Sequence, residues 1–72
     1  MKQLEAIMSQ MDHEDQKHMQ RLVRLEALLN EATEEGDDER VELMMRLIER
    51  ETSRYEKKML MLQERMERIL DM

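Results

Sequence analysis

The chain has 72 residues, of which 42% are charged and 1% aromatic, and its formal net charge is -6 at pH 7. It contains no cysteine, no proline and a single glycine, which excludes disulfides and thiolate zinc sites and argues against a β-sheet. One domain of this size buries too little apolar surface for comfortable stability, and oligomerisation is the common remedy that this composition leaves open.

The sequence shows no sign of a membrane segment. No stretch approaches the about 18 consecutive apolar residues that a membrane-spanning helix needs. The first residues, MKQLEAIMSQMD, lack the long apolar region of a signal peptide. We therefore expect a cytoplasmic protein that does not interact with the membrane.

The first predicted element is a long helix over residues 3–34. Good helix formers fill it, and apolar side chains recur in alternating steps of four and three residues, the spacing of a coiled-coil seam. The seam positions are Leu4, Met8, Met11, Asp15, His18, Leu22, Leu25, Leu29 and Ala32. Seven of these nine positions are apolar, so this side of the helix is predicted to be buried.

A turn is predicted at residues 35–37, within the sequence EEGDD. Gly36 suits the left-handed conformation that closes a helix, and Asp37 or Asp38 suits the cap of the next helix. Residues 31–42 hold seven acids against Arg40 alone, so they carry the excess negative charge. This acidic tip, a solvated turn or alternatively a docking site for a basic surface, includes Glu34, Glu35, Asp37, Asp38 and Glu39.

The second predicted helix covers residues 38–71 and repeats the alternation. Its seam positions are Val41, Met45, Ile48, Thr52, Tyr55, Met59, Leu62, Met66 and Ile69. Folding the chain at Gly36 opposes the two seams in nine layers. From the tip to the open end these are Ala32 with Val41, Leu29 with Met45, Leu25 with Ile48, Leu22 with Thr52, His18 with Tyr55, Asp15 with Met59, Met11 with Leu62, Met8 with Met66, and Leu4 with Ile69. The chain is therefore predicted to be one all-α domain over residues 1–72, an antiparallel, coiled-coil-like two-helix hairpin that dimerises into a four-helix bundle.

A polar belt interrupts the predicted seam at mid-length. Its members are Asp15, His18, Thr52 and Tyr55. Hydrogen bonding that fixes the register of the helices is the favoured interpretation, and a pH switch based on His18 is an alternative. A metal site is a third, because Asp15 and His18 stand three residues apart, as in Glu-x-x-His bundle sites. Such sites need further inward carboxylates, and Glu51 and Glu56 are predicted only to flank the belt, so no metal is assigned.

Apolar residues off the seam are candidates for binding a partner. They form one patch near the tip, Leu43 with Leu47, and another farther along the second helix, Leu60 with Met61. The ten methionines fill the core or, at the open end, offer an adaptable binding surface. We therefore expect a small homodimeric protein that binds and modulates a larger protein, as an inhibitor, an anti-regulator or a small chaperone.

A basic belt supports an alternative function. It consists of Lys17, Arg21, Arg24, Arg46, Arg50, Arg54, Lys57 and Lys58. In length, heptad layout and overall acidity the chain resembles small dimeric hairpin bundles that bind RNA, of the plasmid copy-number regulator Rop type. This resemblance implies a nucleic-acid-binding regulator, whereas the interleaved acids Glu49, Glu51 and Glu56 favour ion-paired helix faces.

Motifs for catalysis are missing from the sequence. It contains no glycine-rich phosphate loop and no nucleophile with a placed base. We therefore predict no enzymatic activity, no catalytic residue and no cofactor.

Overall fold

The computed structural model describes residues 2–71, which form two long helices. Helix α1 covers Lys2–Glu35 and helix α2 covers Asp38–Leu70. The helices pack side by side into a rod with principal extents of 55 × 15 × 8 Å. The all-α hairpin is thus confirmed, with helix bounds within one residue of those predicted. Neither α1 nor α2, the helices of the described residues, has an apolar stretch long enough to cross a membrane.

Gly36 makes the turn between the helices. Its φ of 70° is left-handed, a conformation that costs a residue with a Cβ about 1–2 kcal/mol. The Gly36 N–H donates to the Thr33 carbonyl at 3.1 Å, and the Asp37 N–H donates to the Ala32 carbonyl at 3.0 Å. These are the paired bonds of a Schellman motif, and they satisfy two carbonyls that the end of α1 leaves free.

Asp37 caps the start of α2. Its Oδ1 accepts the N–H of Arg40 at 3.2 Å, and its carbonyl accepts the N–H of Val41 at 3.0 Å, as an N-cap residue does. Arg40 also donates through Nη1 to the Glu35 Oε2 at 2.6 Å. One arginine therefore ties the last turn of α1 to the first turn of α2.

The acidic tip is divided by these contacts. Glu35 and Asp37 have side-chain partners, whereas Glu34, Asp38 and Glu39 take part in no side-chain hydrogen bond or ion pair within residues 2–71. Asp38 and Glu39 lie in the first turn of α2, where negative charge is favoured by the helix dipole. The structure thus gives most of the tip a role in ending α1 and starting α2.

The core between the helices is thin. Within residues 2–71, the buried apolar residues are Ile7, Ala32 and Leu62, at 7%, 0% and 4% exposure. Other inward apolar residues, such as Leu25 and Ile48, are only half-buried. A two-helix hairpin leaves such side chains partly exposed to solvent because each helix covers only one side of its partner.

The inward positions of α1 differ from the prediction at two places. Ile7 is buried and Glu14 is half-buried, whereas the predicted seam residues Met8 and Asp15 are exposed, Met8 by 54%. The predicted layers that contain Met8 and Asp15 are therefore wrong.

Helix α2 shows the same shift by one residue. Met44 is half-buried and Glu51 is buried, whereas Met45 is 53% exposed and Thr52 lies half-buried at the edge of the seam. Adjacent residues lie only 100° apart around a helix. A seam of alternating steps of four and three residues can therefore be drawn through a given residue or through the residue before it. The predicted layer of Leu29 with Met45 is wrong for this reason, and Glu51 takes the inward position assigned to Thr52.

Candidate functional site

A polar cluster crosses the hairpin at mid-length. The rings of His18 and Tyr55 stack with centroids 3.9 Å apart and planes 5° from parallel. The Tyr55 hydroxyl donates a hydrogen bond to the Asp15 Oδ1 at 2.6 Å. The structure therefore brings together Asp15, His18 and Tyr55 of the predicted polar belt, while Thr52 lies outside these contacts.

Glu51 belongs to this cluster, and the prediction that it only flanks the belt is wrong. It is 8% exposed, and its Oε1 lies 3.4 Å from the Nδ1 of His18 and 3.3 Å from the Nη1 of Arg21. A buried carboxylate is costly unless it is paired, and these two contacts supply the pairing. The inward position of Glu51 could have been found from the seam spacing, because Glu51 stands three residues after Ile48 and four before Tyr55.

The carboxylates of the cluster are paired with other protein groups. Within residues 2–71, no group of three or more histidine, aspartate or glutamate side chains is placed to hold a metal ion. The Asp15 carboxylate accepts from Tyr55, and the Glu51 carboxylate lies against His18 and Arg21. The polar groups of the cluster therefore satisfy one another across the two helices.

Two contacts at the cluster shift pKa values. The hydrogen bond to Asp15, assisted by desolvation and by the negative charge of Asp15, raises the pKa of Tyr55. The contact with Lys58, whose Nζ lies 3.1 Å from the Glu14 Oε1, lowers the pKa of Glu14, and partial desolvation opposes that effect. Near neutral pH both contacts therefore favour a protonated Tyr55 and an ionised Glu14.

One side of the hairpin, the basic face, collects much of the predicted basic belt. A depression there is lined by Arg21, Arg24, Arg50 and Arg54, together with Leu25, Leu47 and Glu51. A neighbouring depression of about 130 Å³ lies over the polar cluster and includes Lys17 and Lys58. Arg46 and Lys57 lie instead along the outer side of α2.

The opposite side of the hairpin, the methionine face, holds eight of the side chains that the prediction placed in the seam. Residues seven apart lie on one strip of a helix, since seven residues make about two turns. The α1 strip is Met8, Asp15, Leu22 and Leu29, and the α2 strip is Met45, Thr52, Met59 and Met66. This face is therefore mainly apolar, and Met8 and Met45 on it are each slightly more than half exposed.

Three of the four predicted partner-binding residues are exposed. Leu43, Leu60 and Met61 are 48%, 56% and 65% exposed, as expected for residues off the seam. Leu47 is half-buried and lines the arginine-rich depression beside Leu25, so its assignment to an outward patch is wrong. Leu47 is instead part of the edge of the helix interface.

Comparison with known proteins identifies no relative. No protein-family model, no curated protein and no solved structure matches the chain. Its function is therefore inferred from the geometry of the hairpin.

Proposed function

We propose that the chain is a small non-enzymatic interaction protein that completes its core with helices from another chain. In this way it binds and modulates a larger protein, as an inhibitor, an anti-regulator or a small chaperone. The observation that supports this proposal is the amount of surface that the hairpin leaves exposed.

The exposed area exceeds that of a compact protein of the same mass. The accessible surface is 6026 Å², whereas a globular monomer of 8.9 kDa exposes about 4,800 Å². The excess is roughly 1,200 Å². A stable protein–protein interface buries about 800 Å² on each partner, so the excess is sufficient for one such interface.

The exposed apolar side chains indicate where that interface lies. Met8, Met19 and Met45 are each more than half exposed on or beside the methionine face. Methionine side chains are flexible and polarisable, and they repack against partners of different shape. A helix laid along this face would cover them together with the half-buried Leu22 and Leu29.

A second copy of the chain is one source of such helices. Two hairpins that pack face to face form a four-helix bundle in which each hairpin buries the exposed side of the other. We propose this homodimer as a state that the protein adopts at sufficient concentration. A larger client protein then binds either the dimer or the hairpin released from it.

Light scattering and circular dichroism across protein concentrations test the proposal. We expect the mean mass to rise above 8.9 kDa and the melting temperature to rise with concentration, because association stabilises the folded hairpin. A mass of one chain and a concentration-independent melting temperature, together with failure to bind any helical partner, would contradict it.

A chaperone would copurify with its client, whereas an inhibitor that docks through the acidic tip would lose potency when Glu34, Asp38 and Glu39 are neutralised.

Nucleic-acid binding is a second candidate, favoured by the basic face. Within residues 2–71, Arg24, Arg50 and Arg54 take part in no ion pair, so their guanidinium groups remain available for phosphates. Against this stands the overall charge of -6. Gel retardation of duplex and stem-loop RNA at low salt distinguishes the two functions. Retardation that Arg50→Gln with Arg54→Gln abolishes would support nucleic-acid binding, and no retardation would exclude this function.

A further inference from the structure

The methionine face has a mainly acidic border. The acids on or beside its two strips are Glu5, Asp12, Asp15, Glu26, Glu42, Glu49 and Glu56, and all are exposed. The lysines and arginines that line the basic face and its neighbouring depressions lie away from the two strips. Arg46 approaches the border from the outer side of α2, where its Nη2 lies 3.8 Å from the Glu42 Oε2. An apolar strip with a border of one charge is the pattern by which helices select partners.

This border disfavours a second copy as the preferred occupant of the face. Two identical methionine faces brought together would place the acids of one border opposite the acids of the other at the rim of the interface. Like charges across such a rim weaken association and slow encounter, most of all at low salt. A homodimer on this face is therefore weak at neutral pH and is strengthened by salt.

A helix with lysine or arginine beside its apolar stripe has the opposite properties. Its apolar residues would contact Met8, Met45 and the leucines between them, while its basic residues would reach the acidic border from both sides. The border on α1 extends from Glu5 to Glu26, about 30 Å at 1.5 Å per residue. A partner helix of about 20 residues covers this length.

We propose that the methionine face is a docking site for a cationic amphipathic helix of a partner protein. This inference rests on the proposed function and names the chemistry of the partner. The flexible methionines adapt to the apolar stripe of that helix, and the acidic border sets its charge. The homodimer is then the state that the cationic helix displaces.

Synthetic peptides of about 20 residues serve as probes for the full-length protein. One is an amphipathic helix of leucine and lysine, the second has glutamate in place of every lysine, and the third is a scrambled version of the first with no apolar stripe. Fluorescence anisotropy measures their binding at low and at physiological salt. We expect tight binding of the first peptide, weakened by salt, no binding of the second, and binding of the third at least tenfold weaker.

Two sets of variants locate the binding surface. Asp12→Asn, Glu49→Gln and Glu56→Gln together remove three border charges, and Glu31→Gln, Glu39→Gln and Glu64→Gln remove three exposed charges on the other sides of the helices. We expect the border variant to bind the cationic peptide about tenfold more weakly and the control variant to change affinity less than twofold. Met8→Gln with Met45→Gln should abolish binding, whereas Leu60→Gln with Met61→Gln should leave it intact.

The outcomes separate this inference from the function on which it rests. Equal losses in the border and control variants, equal binding of both charged peptides, or loss only with Leu60→Gln and Met61→Gln would overturn the docking site. Neutralising the border should strengthen the homodimer, since it removes like-charge repulsion. If the border variant dimerises but the parent binds no cationic peptide, a second copy is the occupant and the inference fails while the proposed function stands. If neither peptide binding nor dimerisation occurs, both fail.

Discussion

The ring of His18 lies flat against the ring of Tyr55 at a centroid distance of 3.9 Å, across the middle of the hairpin. The Tyr55 hydroxyl is held at the same place by the Asp15 carboxylate, which raises the pKa of Tyr55 above its ordinary value of 10.0. Tyr55 is the single tyrosine and the chain has no tryptophan, so the tyrosinate absorbance band reports this residue alone.

An alkaline titration of that band is the first prediction. We expect the midpoint to lie above 10.0 in the parent and to fall back toward it in Asp15→Asn. Asp12→Asn makes the same charge change on α1 without the hydrogen bond and should leave the midpoint nearly unchanged. Equal midpoints in the parent and Asp15→Asn would show that the hydrogen bond is not formed in solution.

The same contact makes stability depend on alkaline pH. A raised pKa means that the folded state favours neutral Tyr55, so the stabilisation is complete below the unfolded pKa of about 10. It is lost as pH rises through the folded pKa. Thermal melts of the parent from about pH 8 to about pH 11 should show this loss, and Tyr55→Phe should remove the tyrosine's part of it. An equally steep decline in Tyr55→Phe would assign the effect to other groups.

The ion pair of Glu14 with Lys58 predicts an effect at acidic pH. Because this contact lowers the pKa of Glu14, its stabilisation is present above the unfolded value of 4.5 and is lost as pH falls through the folded value. Carboxyl NMR should show Glu14 titrating below 4.5 in the parent and closer to 4.5 in Lys58→Gln. Lys57→Gln is the matched control, since its side chain lies on the outer side of α2. A Glu14 midpoint that Lys58→Gln does not move would rule out the ion pair.

The buried carboxylate of Glu51 gives a prediction about stability. Glu51→Ala leaves His18 and Arg21 without their partner, and we expect the free energy of unfolding to fall by about 1–3 kcal/mol, measured by urea denaturation. Glu49→Ala, at an exposed position two residues earlier, should change it by less than about 0.5 kcal/mol.

A double replacement tests whether the contacts of Glu51 in the polar cluster stabilise the fold or specify how the two helices align. His18→Leu with Glu51→Met replaces the polar pair by apolar side chains and should recover most of the stability lost in Glu51→Ala. If the double variant is no more stable than Glu51→Ala, the polar contacts themselves stabilise the fold. A loss of the single hairpin register, seen by NMR in the double variant, would show that they specify alignment.

The turn provides a prediction that depends on backbone conformation alone. A Cβ added to Gly36 meets nothing within 4 Å, so Gly36→Ala is costly only through its left-handed φ of 70°. We expect a loss of about 1–2 kcal/mol for alanine and a smaller loss for Gly36→Asn, because asparagine tolerates this conformation better. Comparable losses in both variants would mean that the turn depends on something other than φ.

The hairpin itself could be predicted because its signals are local. The absence of proline, the lone Gly36 and the following Asp37 define two helices and a turn by backbone chemistry. The His18–Tyr55 contact could also be predicted, because residues opposite each other in a hairpin closed at Gly36 are related by their distance from the turn. These features need no knowledge of how the helices rotate about their axes.

The rotation of each helix could not be predicted from apolar spacing. Ile7 and Met8 are both apolar, as are Met44 and Met45, so either residue of each pair satisfies the pattern. The choice depends on contacts between the helices, including Glu14 with Lys58 and Arg21 with Glu51. A search for apolar seams treats these charged residues as surface, and it therefore misses both Glu51 and the methionine face.

The position of Ala32 affects the order in which the hairpin folds. Ala32 has no exposed surface, and it lies beside the turn, where only a short loop has to close before the helices touch. Contacts at the open end, near Leu4 and Ile69, require the whole chain to close. Folding should therefore begin at Gly36 and proceed toward the termini, with amide hydrogens near Ala32 exchanging last and those at the open end first.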